Sequence, residues 1–220
     1  MDKVDSQTLL KKGAEASLFL AYWHGRRAII KARLPKRYRP AELDKKIRGY
    51  RTAHEPQLMD EAKKAGVPTP KIFLVDMKNA AITMEFVEGK QVKQLLGNLT
   101  SEKRQALCVK IGELIGQLHK HGLIHGDLTT SNMILKAEDK IFLVDFGLGE
   151  KNKELEARGV DLHLMKRALQ STHYYIAAEC FKHVQEGYAA VLGAEDAGKV
   201  FGKIREIERR GRYVDERKQA

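Results

Sequence analysis

The stretch His125-Gly126-Asp127-Leu128-Thr129-Thr130-Ser131-Asn132, followed thirteen residues after the Asn by Asp145-Phe146-Gly147, constrains this chain more than any other. It sets an Asp at the head of a loop, an Asn five residues on, and a second Asp at the start of the next turn. A group of the first kind orients or deprotonates a hydroxyl. The other two suit a hard divalent cation held against phosphate oxygens. Phosphoryl transfer needs little more than positioned oxygens, cation ligands and one orienting group. Taken alone, Asp127 reads equally well as a turn residue capping backbone N–H groups. With Asn132 and Asp145 in register, the catalytic reading is preferred. Asp-Phe-Gly is weak by itself and strong after the apolar run 141–144 and the Asp…Asn pair.

The flanking pattern supplies rigid elements for such a site. Residues 18–23 and 27–31 are strand-like and are separated by His24-Gly25, a hairpin signal. Residues 41–65 have a helical pattern that Gly66 ends, with Pro56 implying a kink or a break into two helices. Residues 72–76 and 80–86 read as two further strands. From Thr100 the period becomes helical, with Leu107, Ile111, Leu114, Ile115 and Leu118 on one face. Thr100 or Ser101 caps its start and Gly122 closes its end. Residues 133–135 and 141–144 are short buried strands bracketing the proposed cation ligands, and after Gly149 the chain reads as helical almost to its end.

Lys31 ends the strand 27–31, where an ammonium can neutralise α- and β-phosphate charge if an acid holds it. Glu55 and Glu61 are both candidates on the following helical segment. Gly13, Ala14, Glu15 and Ala16 precede the first strand-like run and can lie over phosphates through their backbone N–H groups, although one glycine makes a poor signal. Glu85, Phe86 and Val87 follow a strand and can line an adenine pocket. Met84 stands at its inner edge, where it reads equally well as core.

The 220 residues, 43% of them hydrophobic, are enough for one domain or for two lobes sharing a cleft. Cys108 and Cys180 form neither a disulfide framework nor a metal spacing, so a reduced intracellular chain is expected. The start lacks a signal-peptide pattern and no run reaches membrane-spanning length, which predicts a soluble cytoplasmic protein without membrane contact. The net charge of +11 is uneven. Residues 26–51 carry eleven Lys/Arg against two acids, and residues 199–220 carry eight against four. Concentrated basic charge favours a polyanion, RNA first, although a solvated face explains either segment alone nearly as well.

In this order the elements resemble the protein-kinase-like fold. The resemblance implies an α+β, minimal bilobal architecture. Residues 1–87 would form a small N-lobe with an antiparallel sheet and a helix, and residues 88–220 a short, mainly helical C-lobe. Gly126 stands where common protein kinases carry Arg, and Thr129 where Ser/Thr kinases carry Lys. No proline follows Pro70, so an Ala-Pro-Glu segment is absent. The connector Lys36-Arg37-Tyr38-Arg39-Pro40-Ala41-Glu42-Leu43-Asp44 and its continuation Arg51-Thr52-Ala53-His54-Glu55 narrow the match. With Gly13-Ala14-Glu15-Ala16 and the basic ending Arg209-Arg210-Gly211-Arg212, they resemble the small atypical kinase subunit of the KEOPS (EKC) complex.

That resemblance implies ATP and Mg²⁺ as cofactors, with Asn132 and Asp145 as metal ligands and Asp127 as the catalytic group. It makes Glu55 the partner of Lys31 and Asp161 a buried brace of the catalytic loop. It implies an ATP-dependent Ser/Thr kinase and ATPase supporting threonylcarbamoyladenosine formation in tRNA. The implied partners are the tRNA threonylcarbamoyltransferase subunit, other KEOPS subunits, and tRNA through residues 26–51 and 199–220. The basic tail, being short and flexible, could also reach back toward the nucleotide cleft. Aminoglycoside- or choline-type kinases share the His-Gly-Asp…Asn loop, but usually carry a longer C-terminal region with an acidic acceptor pocket. RIO-type kinases fit the connector less well. A silent nucleotide-binding scaffold of an RNA complex would not need every catalytic position filled, as here.

Overall fold

A computed structural model describes residues 4–219, with the side chains of 7–137 and 139–210. Strands β1 (Val4–Lys12), β2 (Ser17–Trp23), β3 (Arg26–Ala32), β4 (Ile72–Asp76) and β5 (Ala81–Glu85) form one antiparallel sheet in the order β1-β2-β3-β5-β4. His24 and Gly25 close the β2–β3 hairpin with φ of 47° and 74°, the pair of positive angles that a tight hairpin turn requires. The register sets Lys31 opposite Leu18 on one side and Ile82 on the other, in the central strand.

Strand β1 is a departure from the sequence reading, which left those residues unassigned. Its sequence has no apolar alternation, and Leu9 and Leu10 are exposed. It is an edge strand ordered by pairing with β2 rather than by burial. Helix α1 (Ala41–Lys64) crosses behind the sheet as one element with Pro56 inside it, not as two helices. Proline there forgoes one backbone bond, to the carbonyl four residues back. Leu58, Met59 and Ala62 of α1 are buried.

The second half is built on helices. Strand β6 (Lys90–Gln91) and α2 (Val92–Leu95) lead to α3 (Ser101–Lys120), whose start is capped by Thr100 accepting from Lys103 N. The short strand β7 (Leu123–Ile124) enters the loop carrying Asp127. Strands β8 (Met133–Lys136) and β9 (Lys140–Leu143) flank the next turn, and β10 (Glu150–Lys151) returns to pair with β7. Helices α4 (Leu155–Thr172), α5 (Ala177–Leu192) and α6 (Ala194–Gln219) complete this part. Helices α3 and α5 touch through glycines: a Cβ on Gly112 would lie 2.0 Å from Val184 O, and one on Gly187 would lie 1.9 Å from Val109 O. Cys108 and Cys180 are buried there as free thiols.

Both basic segments are more structural than their charge suggests. In residues 26–51, Arg27, Lys31, Arg33, Arg39, Arg48 and Arg51 each engage a carboxylate. In α6, Ala197, Val200 and Ile204 are buried, while Lys199, Lys203 and Arg210 pair with acids on α4 or α6. The tail expected to be flexible continues α6 to Gln219. The side chains beyond Arg210, on which its reach toward the cleft would depend, lie outside the described residues.

Candidate active site

The sheet, α1 and the β7–β10 region meet at a cleft with two confluent halves. One, about 190 Å³, is lined by Met84, Glu85, Phe86 and Val87 together with Ile29 and Val144. The other, about 260 Å³, is lined by Gly13, Ala14, Glu15 and Ala16 from the β1–β2 loop and by Asp127. Lys31, Asn132 and Asp145 line both. The two halves therefore bring together all the residues singled out in the sequence for the nucleotide, with Glu55 at the inner wall.

Lys31 is buried, and its Nζ donates to Glu55 Oε1 at 2.8 Å and to Asp145 Oδ1 at 2.6 Å. Glu61, the other candidate, pairs instead with Lys64 and Lys151 at the surface. The second oxygen of Glu55 accepts from Arg33 Nη2, and Arg33 also reaches Thr52 Oγ1. Arg33 is 3% exposed, and the sequence reading missed it. The signal was present: Lys31 and Arg33 are two apart, and alternation on an extended chain puts them on one face. Arg33 N continues the ladder by donating to Ala80 O.

Asp145 has φ of 67°, a left-handed angle uncommon outside glycine. Such strain persists where surrounding contacts over-determine it. Here Phe146 is buried against the His125 ring at 4.4 Å, and Gly147 N lies 3.4 Å from Asp145 Oδ1. Burial opposes ionisation of Asp145, but the Lys31 ammonium outweighs it and holds the carboxyl below the ordinary range.

The loop carrying Asp127 is held from below. Asp161, fully buried on α4, accepts from His125 N and Gly126 N, each at 2.9 Å. His119 Nε2 lies 3.2 Å from Asp161 Oδ2, and its Nδ1 lies 2.8 Å from the hydroxyl of buried Tyr188. Burial works against the Asp161 carboxylate, yet His119 and, after it, His125 keep its pKa lowered. His119 and Tyr188 were not legible in sequence because their α3–α5 contact is purely tertiary. His125 Nε2 contacts Val144 O at 3.2 Å, and its Nδ1 receives Asp127 N–H at 3.3 Å. That pattern needs a neutral ring, and burial lowers the His125 pKa accordingly.

Asn132 Nδ2 donates to Asp127 Oδ2 at 2.8 Å and to Asp127 O at 3.0 Å. Its Oδ1 has no partner among the described residues. Among those residues no group of three His, Cys, Asp or Glu forms a metal cluster. The donor set suits Mg²⁺, which takes one or two protein oxygens and completes its shell with phosphate oxygens and water.

The protein kinase domain family matches residues 12–191. The chain is 46% identical over 211 residues to the KEOPS complex subunit Bud32 of Pyrococcus abyssi, covering 93% of this chain and 96% of that protein. It is 46% identical over 207 residues to the probable bifunctional tRNA threonylcarbamoyladenosine biosynthesis protein of Methanothermobacter thermautotrophicus, covering 94% of this chain but spanning only 37% of that protein. Among solved structures, the Rio2 kinase of Chaetomium thermophilum aligns with a TM-score of 0.61 at 19% identity over 94% of this chain and 74% of the other, a likeness of fold. No described helix is long and apolar enough to cross a membrane. The chain belongs to the protein kinase domain family and, within it, to the family of the KEOPS complex subunit Bud32.

Proposed function

We propose that this chain binds ATP in the cleft, hydrolyses it or transfers its γ-phosphate, and does so within an assembly that installs threonylcarbamoyl groups on tRNA adenosine. The observation that carries the reading is the bridge Glu55–Lys31–Asp145 at the junction of the two half-cavities. Lys31, oriented by Glu55, meets the α- and β-phosphates. The backbone at Glu85, Phe86 and Val87 receives the adenine, and Val87 N–H has no partner among the described residues. The β1–β2 turn, closed by Gly13 N donating to Ala16 O at 2.9 Å, lays the amides of Ala14 and Ala16 over the phosphates. Asp145 and Asn132 Oδ1 would hold Mg²⁺, which supplies charge neutralisation at the phosphates when bound.

Asp127, fixed by Asn132 Nδ2 and by the braced amides of His125 and Gly126, orients the attacking water or hydroxyl. The N-lobe would span residues 1–87 and the C-lobe residues 88–220, with the cleft at their junction. The likeness to the Pyrococcus abyssi subunit over nearly the full length supports a place among other KEOPS subunits. Arg26, Lys36, Arg37, Lys45 and Lys46, which form no ion pair among the described residues, are available to tRNA or to the carbamoyltransferase subunit. Incubation with γ-labelled ATP, with and without tRNA and partner subunits, tests this. Label released to water or transferred to protein is expected. ATP left intact in every mixture would leave only a binding scaffold.

A further inference from the structure

Glu15 puts a carboxylate in the loop that covers the phosphates, where a bare negative charge would repel a nucleotide. Each of its oxygens is occupied. Oε1 accepts from Arg39 Nη2 at 3.1 Å, and Oε2 accepts from Arg51 Nη1 at 2.7 Å. Arg39 comes from the connector after β3, whereas Arg51 is on α1, one turn before Glu55. Glu15, Arg51 and Asp127 line the phosphate half of the cleft but not the adenine half, whereas Lys31 lines both. Arg51 therefore stands beyond Lys31, on the side where the outermost phosphate must lie.

We propose that Arg51 recognises the terminal phosphate of the nucleotide and that Glu15, with Arg39, holds it in reserve until a triphosphate enters. This rests on the reading of the cleft as an ATP site. A guanidinium fork matches phosphate oxygens as well as carboxylate oxygens, so Arg51 exchanges one anion for another of higher charge. Glu15, 45% exposed at its side chain, is released into water. Arg39 also has a second seat. Asp44 is 2% exposed, its Oδ1 has no hydrogen-bond partner among the described residues, and Arg39 Nη1 lies 3.9 Å from it. Asp44 is anchored through Oδ2 by Arg48, which also reaches Arg33 O. Both arginines thus have an anionic partner in either arrangement, and Glu15 exchanges its two arginines for water. Because Arg51 and Glu55 share a face of α1, seating Arg51 on phosphate also steadies the Glu55–Lys31 pair. A diphosphate lacks the group Arg51 needs and leaves the latch closed.

The test is calorimetric titration with Mg²⁺ and either a non-hydrolysable ATP analogue or ADP. Arg51→Ala is expected to weaken the triphosphate by about tenfold or more while ADP affinity stays nearly unchanged, since one charge-assisted hydrogen bond is lost only with the former. Glu15→Ala is expected to act in the opposite direction and tighten the triphosphate, a gain that misfolding cannot produce. Arg51→Lys should recover part of the loss. Equal weakening of both nucleotides by Arg51→Ala, or weaker triphosphate binding by Glu15→Ala, overturns this inference alone. Wild-type chain that binds neither nucleotide overturns it together with the ATP reading.

Discussion

Asp161 Oδ2 accepts the amide hydrogen of His125 at 2.9 Å from a helix 36 residues further along the chain. Its other oxygen takes the amide of Gly126, so a single buried carboxylate shapes the backbone leading into Asp127. Asp161→Ala strands the buried N–H of His125, the part-buried N–H of Gly126, and His119. Breaking a buried charged network of this kind costs roughly 3–5 kcal/mol, a fall of roughly 10 °C in melting temperature for a chain of this size. Asp161→Asn retains one acceptor and should lose less. Scanning calorimetry checks both, and an unchanged melting temperature in Asp161→Ala would refute the brace.

Gly126 has φ of 78°, and a Cβ built on it would lie 2.2 Å from Leu148 O. Both conditions exclude a side chain in the present loop. Gly126→Ala should therefore destabilise by about 1–3 kcal/mol through backbone strain alone, with the clash adding to it. Because Gly126 adjoins Asp127 and not the adenine end, turnover should fall more than nucleotide affinity. Comparing kcat with a directly measured Kd reads the difference.

Asp127 and Asp145 should separate in the same way. Removing either carboxylate is expected to lower ATP turnover on the order of 10²–10³-fold, the size of a lost transition-state contact. Asp145→Ala also releases Lys31 and weakens nucleotide binding, whereas Asp127→Ala leaves binding nearly intact. Wild-type turnover in both variants would end the assignment.

Acid should destabilise the protein in two steps. The folded pKa of His125 is lowered by burial. Above about pH 6.5 the ring is neutral in folded and unfolded chains, and its contribution is fully present. Below that, the unfolded chain binds a proton that the folded one refuses, so stability falls until the folded pKa is reached. His163 and His173, also lowered chiefly by burial, act with the same sign. Asp145 and Asp161 have lowered pKa values. Their share is present above about pH 4 and is lost as the pH falls through their folded values. Melting temperatures measured from pH 8 to pH 3 should decline in both windows, and His125→Gln should flatten the upper one. A flat profile between pH 7 and pH 5 would contradict the histidine assignment.

The elements legible in the sequence were those with local signals. The His24-Gly25 hairpin, the Thr100 cap and the α3 face all follow from spacing and backbone preference. Strand β1 was not legible, because its order comes from β2. The unbroken α1 was not legible either, because packing of Leu58, Met59 and Ala62 outweighs the bond lost at Pro56. The basic run 26–51 looked like a free polycation because charge counting ignores partners. Six of its bases engage Glu15, Asp44, Glu55 or Glu88.

By itself the sequence determined which chemical groups are present and in what order: Lys31, Asp127, Asn132 and Asp145, at spacings set by short loops and strands. Only the tertiary structure decided how they are held. Arg33 beside Glu55, His119 and Tyr188 behind Asp161, and Arg39 and Arg51 on Glu15 join residues far apart in the chain. Such contacts leave no periodic trace, because long-range ion pairs depend on how lobes and helices pack and not on the pattern within any one of them.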